Sequence, residues 1–433
     1  MSAISVSVSP VGQVKPVHGV GQPPMLGLDC SMFSYLKDAG VPFSRLHDVG
    51  GWFGGNMFAD IPNLFRDFDA DPEDPESYDF TFTDILIKNL VENGVEPFFR
   101  LGVTIENFAE IKAYRIFPPK DPEKWARICE GVIAHYNEGW ADGFRCGIRY
   151  WEIWNEPDFA PDERDNCMWR GTKEQFYELY DVASKHLKKR FPDIMIGGYG
   201  SCGFYAAALP GDAEAIGTTQ KAYHLEFFDG FLEYIRARGS PFDFFSWHGY
   251  DDPDRMALYA SYARKRLDEA GFRETLSFCD EWNRFSRYRG QQRHAALSAA
   301  SMIAFDTSPV DGAMFYDARV GVSKYGSLFD PLSLKPLVSY WVFVAFNELY
   351  KLKRRLGVTG TPDGVWADAA TDGESRLLLA ANTDDKEKEL AVPGTVLSCR
   401  VIDGEKRLEE APFNGRIGPY SVLLLKLGSG NER

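Results

Sequence analysis

At 433 residues and a net charge of −15, the chain can form one large domain and a smaller one, and it is too acidic to favour nucleic acid or an anionic membrane as partner. Aromatic residues make up 14% of it, enough for a real core and suited to neutral, polar ligands that stack on rings. Seven cysteines stand singly at 30, 129, 146, 167, 202, 279 and 399 with no Cys-x-x-Cys, so neither a zinc site nor a complete disulfide framework is indicated.

The first ten residues alternate like a strand and lack the basic and uninterrupted apolar regions of a signal peptide, which sets the cytoplasm as the expected location. No apolar run is long enough to span a bilayer. Residues 14–20 read as a buried strand and 31–39 as a helix closed by Gly40. The second strand, 41–48, ends on Arg45, His47 and Asp48. A long loop follows, carrying Trp52, Phe53 and Phe58, and loops of that length are often functional. Helices are expected at 82–93, 124–136, 173–190, 225–238, 255–270, 293–305 and 336–350, with strands at 95–102, 149–154, 194–199, 242–250, 275–283 and 313–319. Eight strands alternating with helices predict an α/β fold, a (β/α)8 TIM barrel. A doubly wound open sheet competes. It is weakened because no Gly-x-Gly-x-x-Gly follows the first strand and because polar clusters end several strands. Beyond residue 350 the texture changes to short alternating segments at 376–381, 389–392, 397–402 and 421–427, which predict a C-terminal antiparallel β-sandwich. The expected division is a barrel at 14–350 and a sandwich at 351–433, with the strand in residues 1–13 joining the sandwich.

The most informative stretch is Arg149-Tyr-Trp-Glu-Ile-Trp-Asn-Glu-Pro-Asp158. Its aromatic and β-branched residues make a buried strand, and Pro157 stops the ladder by removing an amide donor. Glu156 is then presented at a strand's carboxyl end, beside Asn155 and under aromatic walls. Desolvation there should raise its pKa, as a general acid near neutral pH requires. Glu152 lies on the same strand with its face undetermined. Collecting the other strand ends adds Arg45 and His47, His248 and Tyr250, Glu281 with Asp280 and Trp282, and Tyr316 with Asp317 and Arg319. Two carboxyl groups facing each other across a mouth lined by Trp and Tyr are the equipment of a glycosidase. Arg45 and the Tyr250 hydroxyl should hold Glu281 ionised while Glu156 stays protonated. Strict alternation turns Asp280 to the opposite side of its strand from Glu281. Histidines 135, 186 and 294 sit on predicted helices and read as structural; no His pair has metal-binding spacing, so neither metal nor cofactor is expected.

These stretches resemble glycoside hydrolase family 39, the β-xylosidase and α-L-iduronidase family. The likeness runs through Phe43-Ser-Arg-Leu-His47, Tyr78-Asp-Phe-Thr-Phe82, Trp151-Glu-Ile-Trp-Asn-Glu-Pro157, Phe242-Asp-Phe-Phe-Ser-Trp-His-Gly-Tyr250 and Asp280-Glu-Trp-Asn283. It implies Glu156 as acid/base, Glu281 as retaining nucleophile and Asn155 at the sugar 2-hydroxyl. His47 and His248 would be among the binding groups, joined by Tyr250, Arg45, Trp52, Trp282 and Tyr316. The expected substrate is a small β-xyloside or related glycoside, cleaved from its end. An endo-glycanase and a non-catalytic carbohydrate-binding barrel are the alternatives. After the eighth strand this chain reads Phe315-Tyr-Asp-Ala-Arg319 where family xylosidases tend to be more acidic, which leaves the sugar open, as self-association between copies is left open.

Overall fold

An N-terminal strand, β1 (Ser5–Gln13), precedes eight parallel strands that close into a barrel: β2 (Gly19–Gly21), β3 (Phe43–Leu46), β4 (Glu96–Leu101), β5 (Tyr150–Ile153), β6 (Met195–Ser201), β7 (Phe244–Gly249), β8 (Leu276–Trp282) and β9 (Gly312–Tyr316). The computed structural model describes residues 4–24, 31–47, 49, 59–104, 116–207, 219–283, 286–320 and 325–428. Among these run the helices α1 (Phe33–Asp38), α2 (Ile61–Leu64), α3 (Thr81–Glu92), α4 (Pro122–Asn137), α5 (Lys173–Arg190), α6 (Thr219–Arg238), α7 (Pro253–Glu269), α8 (Gln292–Thr307) and α9 (Tyr340–Leu352). The barrel matches the sequence reading, and the helix starts have local causes. Asp121 caps α4 through the Lys124 amide with Pro122 in the first turn, and Thr172 and Gln175 form a reciprocal capping box on α5.

The two-residue period of the strands sorts the barrel interior into layers. Phe43, Phe98, Tyr150, Phe244, Phe278 and Met314 pack together as an apolar floor. Two residues further along the same strands come Arg45, Arg100, Glu152 and Ser246, all fully buried. The charged layer therefore rests on a dry floor and lies under the carboxyl-terminal mouth. Residues of opposite parity, among them Phe99, Trp151, Phe245 and Cys279, face outward and join the helices in the main core.

The rest of the chain forms β10 (Arg354–Thr359), β11 (Val365–Thr371), β12 (Arg376–Asn382), β13 (Lys388–Glu389), β14 (Val396–Ile402), β15 (Arg407–Glu410), β16 (Arg416–Ile417) and β17 (Val422–Leu427). A seven-stranded antiparallel sheet runs in the order β1-β10-β11-β12-β17-β14-β15, and β13 pairs with β16 as a small second layer. Alternation again divides the faces. Ala370, Leu379, Ala381 and Leu424 belong to the main core with α8 and α9, whereas Ala369, Leu378, Ala380 and Leu425 build a separate core closed by Leu390 and Ile417. β1 pairs antiparallel with β10, and Ile4 and Val6 are buried in that second core. Replacing the buried Ile4 with Ala should cost about 2–5 kcal/mol. Denaturant melts check this, and an unchanged midpoint would mean that Ile4 adds no stability to the second core.

Candidate active site

Arg45, at the carboxyl end of β3, is the hub of the barrel mouth. Its Nε donates to Glu152 Oε2 at 2.7 Å, Nη1 to Glu281 Oε1 at 2.6 Å and Nη2 to Asn155 Oδ1 at 2.6 Å. Glu281 Oε2 accepts from the Tyr250 hydroxyl at 2.7 Å, and Glu152 Oε1 accepts from Ser246 Oγ at 2.6 Å. Opposite Glu281, Glu156 Oε1 lies 2.7 Å from His248 Nδ1, and that nitrogen is 3.5 Å from Glu281 Oε2. One donor atom each from Glu156, His248 and Glu281 falls within 4.8 Å of the others.

The local backbone explains how Asn155 and Glu156 come to face the mouth. Trp154 and Glu156 both adopt left-handed backbone, with φ of 72° and 46°, which is uncommon for residues with side chains and marks a constrained turn. The Glu156 amide is held by the Gly200 carbonyl at 3.0 Å. Gly200 itself has φ of 61°, and a Cβ there would lie 3.0 to 3.1 Å from Arg45 Nη2, Asn155 Oδ1 and His248 Nε2. Only glycine leaves that space open.

Three expectations need correction. First, Asp280 shares the barrel interior with Glu281. Trp247 pairs with Cys279 and the next residue, His248, with Glu281; against β9, Cys279 pairs with Ala313 and Trp282 with Phe315. One extra residue is thus accommodated in β8: Asp280, two residues beyond the floor residue Phe278, faces inward with Oδ2 2.7 Å from Arg45 Nε, and the bulge breaks the alternation so that Glu281 faces inward as well. Secondly, Trp282 packs against Phe305 of α8 and Phe315, at ring distances of 5.5 and 5.1 Å, and so lies in the layer between barrel and helix and not in the mouth. Thirdly, the tryptophans before Glu156 do not wall it in. Trp151 stacks on Phe99, and Trp154 packs between Trp125 and Trp169. The double-Trp signal marks a well-packed strand.

His47 is buried with Nε2 3.9 Å from Glu281 Oε1, and Tyr316 has its ring 6.4 Å from His47 and 6.5 Å from Tyr250. Asp48 and Trp52, with Phe53 and Phe58, lie outside the described residues. Reasoning from sequence missed Ser246, which holds Glu152, and Gln22, which donates to the Tyr316 hydroxyl at 2.8 Å. It also missed Asp158, bound by Ser201 Oγ at 2.8 Å, and Tyr325, whose ring is 5.5 Å from Tyr250. Ser246 was within reach, since it stands two residues before His248 on one strand face.

The electrostatics follow from burial. Glu156 is pushed up to about 7 by burial and then by the charge of Asp158, against the pull of Arg45 and His224. Its side chain is nevertheless 17% exposed, so a substrate can reach it. Burial also raises Glu281, and His248, Arg45 and the Tyr250 hydrogen bond oppose this without reversing it; the partners expected to keep it ionised are present, but desolvation is the larger effect. His248 is brought down to about 4 by burial and is neutral at pH 7. The Arg45 guanidinium, although burial works against its charge, is held protonated by Asp280, Glu152 and Glu281.

Glu156, His248 and Glu281 converge from three strands, a donor set that helix spacing could not reveal. Their donor atoms are already engaged by one another, by Tyr250 and by Arg45, whose charge repels a cation. The arrangement suits proton transfer better than metal binding.

A barrel with paired glutamates at its carboxyl-terminal mouth is the architecture of a glycoside hydrolase. The profile of glycosyl hydrolases family 39 matches residues 51–275, and the chain belongs to that family. It is similar to a β-xylosidase of Geobacillus stearothermophilus, 27% identical over 208 residues that make up 46% of this chain and 35% of the relative. A β-xylosidase of Caldicellulosiruptor saccharolyticus is 28% identical over 169 residues, 37% of this chain and 31% of the relative. The chain thus matches about a third of the length of these curated relatives. Among solved structures, a glucosidase from Croceicoccus marinus superposes with a TM-score of 0.76 at 22% identity, covering 98% of both chains. A family 39 β-xylosidase from Caulobacter crescentus gives 0.66 at 17% identity, over 99% of this chain and 100% of the other. At those identities the likeness establishes the fold.

Replacing Arg45 with Met would strand three buried carboxyl groups without their cation. The expected loss of stability is about 3–5 kcal/mol, and Lys should not restore it because an ammonium cannot fork to three partners. Urea melts of both variants check this; a wild-type midpoint in either would contradict the hub assignment.

Proposed function

We propose that the protein is a retaining glycoside hydrolase acting on the ends of β-xylosides or related small β-glycosides. The observation that carries this reading is the pairing of Glu156, whose pKa lies near 7, with Glu281, held by Arg45 and Tyr250, within 4.8 Å of each other through one oxygen each. A retaining pair needs carboxyl groups about 5–5.5 Å apart, whereas an inverting pair needs about 6.5–9.5 Å to admit water. The observed proximity favours the first.

In the first step Glu281 attacks the anomeric carbon while protonated Glu156 gives its proton to the departing glycosidic oxygen. A glycosyl-enzyme ester forms and the aglycone alcohol leaves. Glu156, now a carboxylate, takes a proton from water as that water attacks the same carbon, releasing the sugar and freeing Glu281. Asn155, fixed by Arg45, is placed to bind the sugar 2-hydroxyl. The substrate and the exo preference draw support from the likeness to β-xylosidases.

Because Glu156 must be protonated in the first step, kcat/KM should fall as pH rises through about 7, and Glu156→Ala should remove that limb. The same variant should spare nitrophenyl substrates with good leaving groups in the first step and cripple those with poor ones. Equal losses across the series would count against the acid role. Glu281→Gly should abolish turnover with every leaving group, with partial rescue by azide. A panel of nitrophenyl xylosides, glucosides and related sugars would identify the preferred glycone, and absence of turnover across the panel would contradict the proposed substrate class.

A further inference from the structure

Asp280 stands outside the two proposed chemical roles, yet it is wholly buried in the charged layer. Three carboxyl groups, those of Glu152, Asp280 and Glu281, approach the Arg45 guanidinium at 2.7, 2.7 and 2.6 Å. Three full negative charges against one positive in a dry barrel would leave a large uncompensated charge, so one group should carry a proton.

Counting donors identifies which. Glu152 accepts from Arg45 Nε and Ser246 Oγ, and Glu281 accepts from Arg45 Nη1 and Tyr250 Oη. Neither oxygen of Asp280 accepts a hydrogen bond, although Oδ2 sits beside an Nε whose single hydrogen is directed at Glu152. A carboxylate without donors is the costliest of the three to keep ionised.

We propose that Asp280 is a positioning residue that works as a neutral carboxyl group, hydrogen-bonded to Glu152, freeing the Arg45 charge for Glu281 and orienting the His248 ring toward Glu156. This rests on the glycosidase reading for its catalytic consequence, but the charge state of Asp280 does not. Burial and the charges of Glu152 and Glu281 outweigh the pull of Arg45 and raise the Asp280 pKa, while Arg45, Asp280 and Ser246 hold Glu152 below its ordinary range in spite of burial. With its hydroxyl hydrogen directed at Glu152 and retained on Asp280, the other oxygen, Oδ1, faces His248 Nε2 at 3.6 Å. That separation is longer than a hydrogen bond, but the oxygen is a polar acceptor facing Nε2, and its partial negative charge favours the ring tautomer with hydrogen on Nε2. His248 Nδ1 then accepts from protonated Glu156, which is how a neutral imidazole favours the acid form. The other groups acting on Glu156 are Asp158, Arg45, His224 and the Cys202 thiol, with Glu281 across the gap, and the substitutions below leave them all in place.

The test compares Asp280→Asn with Asp280→Leu. Asn is neutral and can still donate to Glu152 and turn an oxygen toward His248, so kcat/KM should stay within about threefold of wild type, with its alkaline limb still near pH 7. Leu removes the acceptor, and the expected result is roughly a tenfold loss of kcat with the alkaline limb moved toward acid by roughly one pH unit. An infrared difference spectrum of wild type minus Asp280→Asn at pH 7 should show the carbonyl band of a buried protonated carboxyl. A carboxylate band in its place, or an Asn variant as impaired as Leu, would overturn the proposal. If the enzyme turned over no glycoside, the glycosidase reading would fail while the infrared band still decided the state of Asp280.

Discussion

One buried guanidinium sets the terms for the whole barrel mouth. A fully buried arginine is tolerated only when its hydrogens find acceptors and its charge is answered. Arg45 meets both conditions by binding groups that come from different strands: Glu152 and Asn155 around β5, Asp280 and Glu281 on β8. The ion network therefore fixes how the strands carrying the candidate chemistry stand relative to one another. It is held above an apolar floor that keeps water from entering from below, which strengthens every interaction in the layer.

The same network differentiates two glutamates that are chemically identical. Glu281 is anchored at both oxygens by Arg45 and Tyr250, whereas Glu156 meets a neutral histidine and the nearby charge of Asp158. One carboxyl thus has strong donors for its anionic form, and the other has an environment that favours its acid form. That division is what a double displacement asks of its two groups.

Much of this was legible in the sequence, because the signals were local. Asn155-Glu156-Pro157 announces a strand end through proline, and Arg45, His248, Tyr250 and Glu281 sit where the other strands run out. The side of Asp280 was not legible. A bulge inserts a residue without changing composition, and a strict two-residue period counted back from Glu281 then assigns Asp280 to the wrong face. Trp282 was misplaced for a simpler reason: an aromatic residue at a strand end packs against a helix as readily as it lines a mouth. In the C-terminal sheet, Arg354–Thr359 and Val365–Thr371 went unread because Arg, Gly and Ala favour strands poorly, and it is pairing with β1 and β12 that makes them strands.

In the proposed mechanism the arginine-held carboxylate, Glu281, attacks the sugar. A 2-deoxy-2-fluoro glycoside with a good leaving group, made from whichever sugar the enzyme turns over, slows breakdown of the glycosyl-enzyme more than its formation. Intact-mass and peptide mass spectrometry should then find one fluoroglycosyl unit esterified to Glu281. An adduct on Glu156 or another side chain, or release of product with inverted configuration and no adduct, would contradict the account.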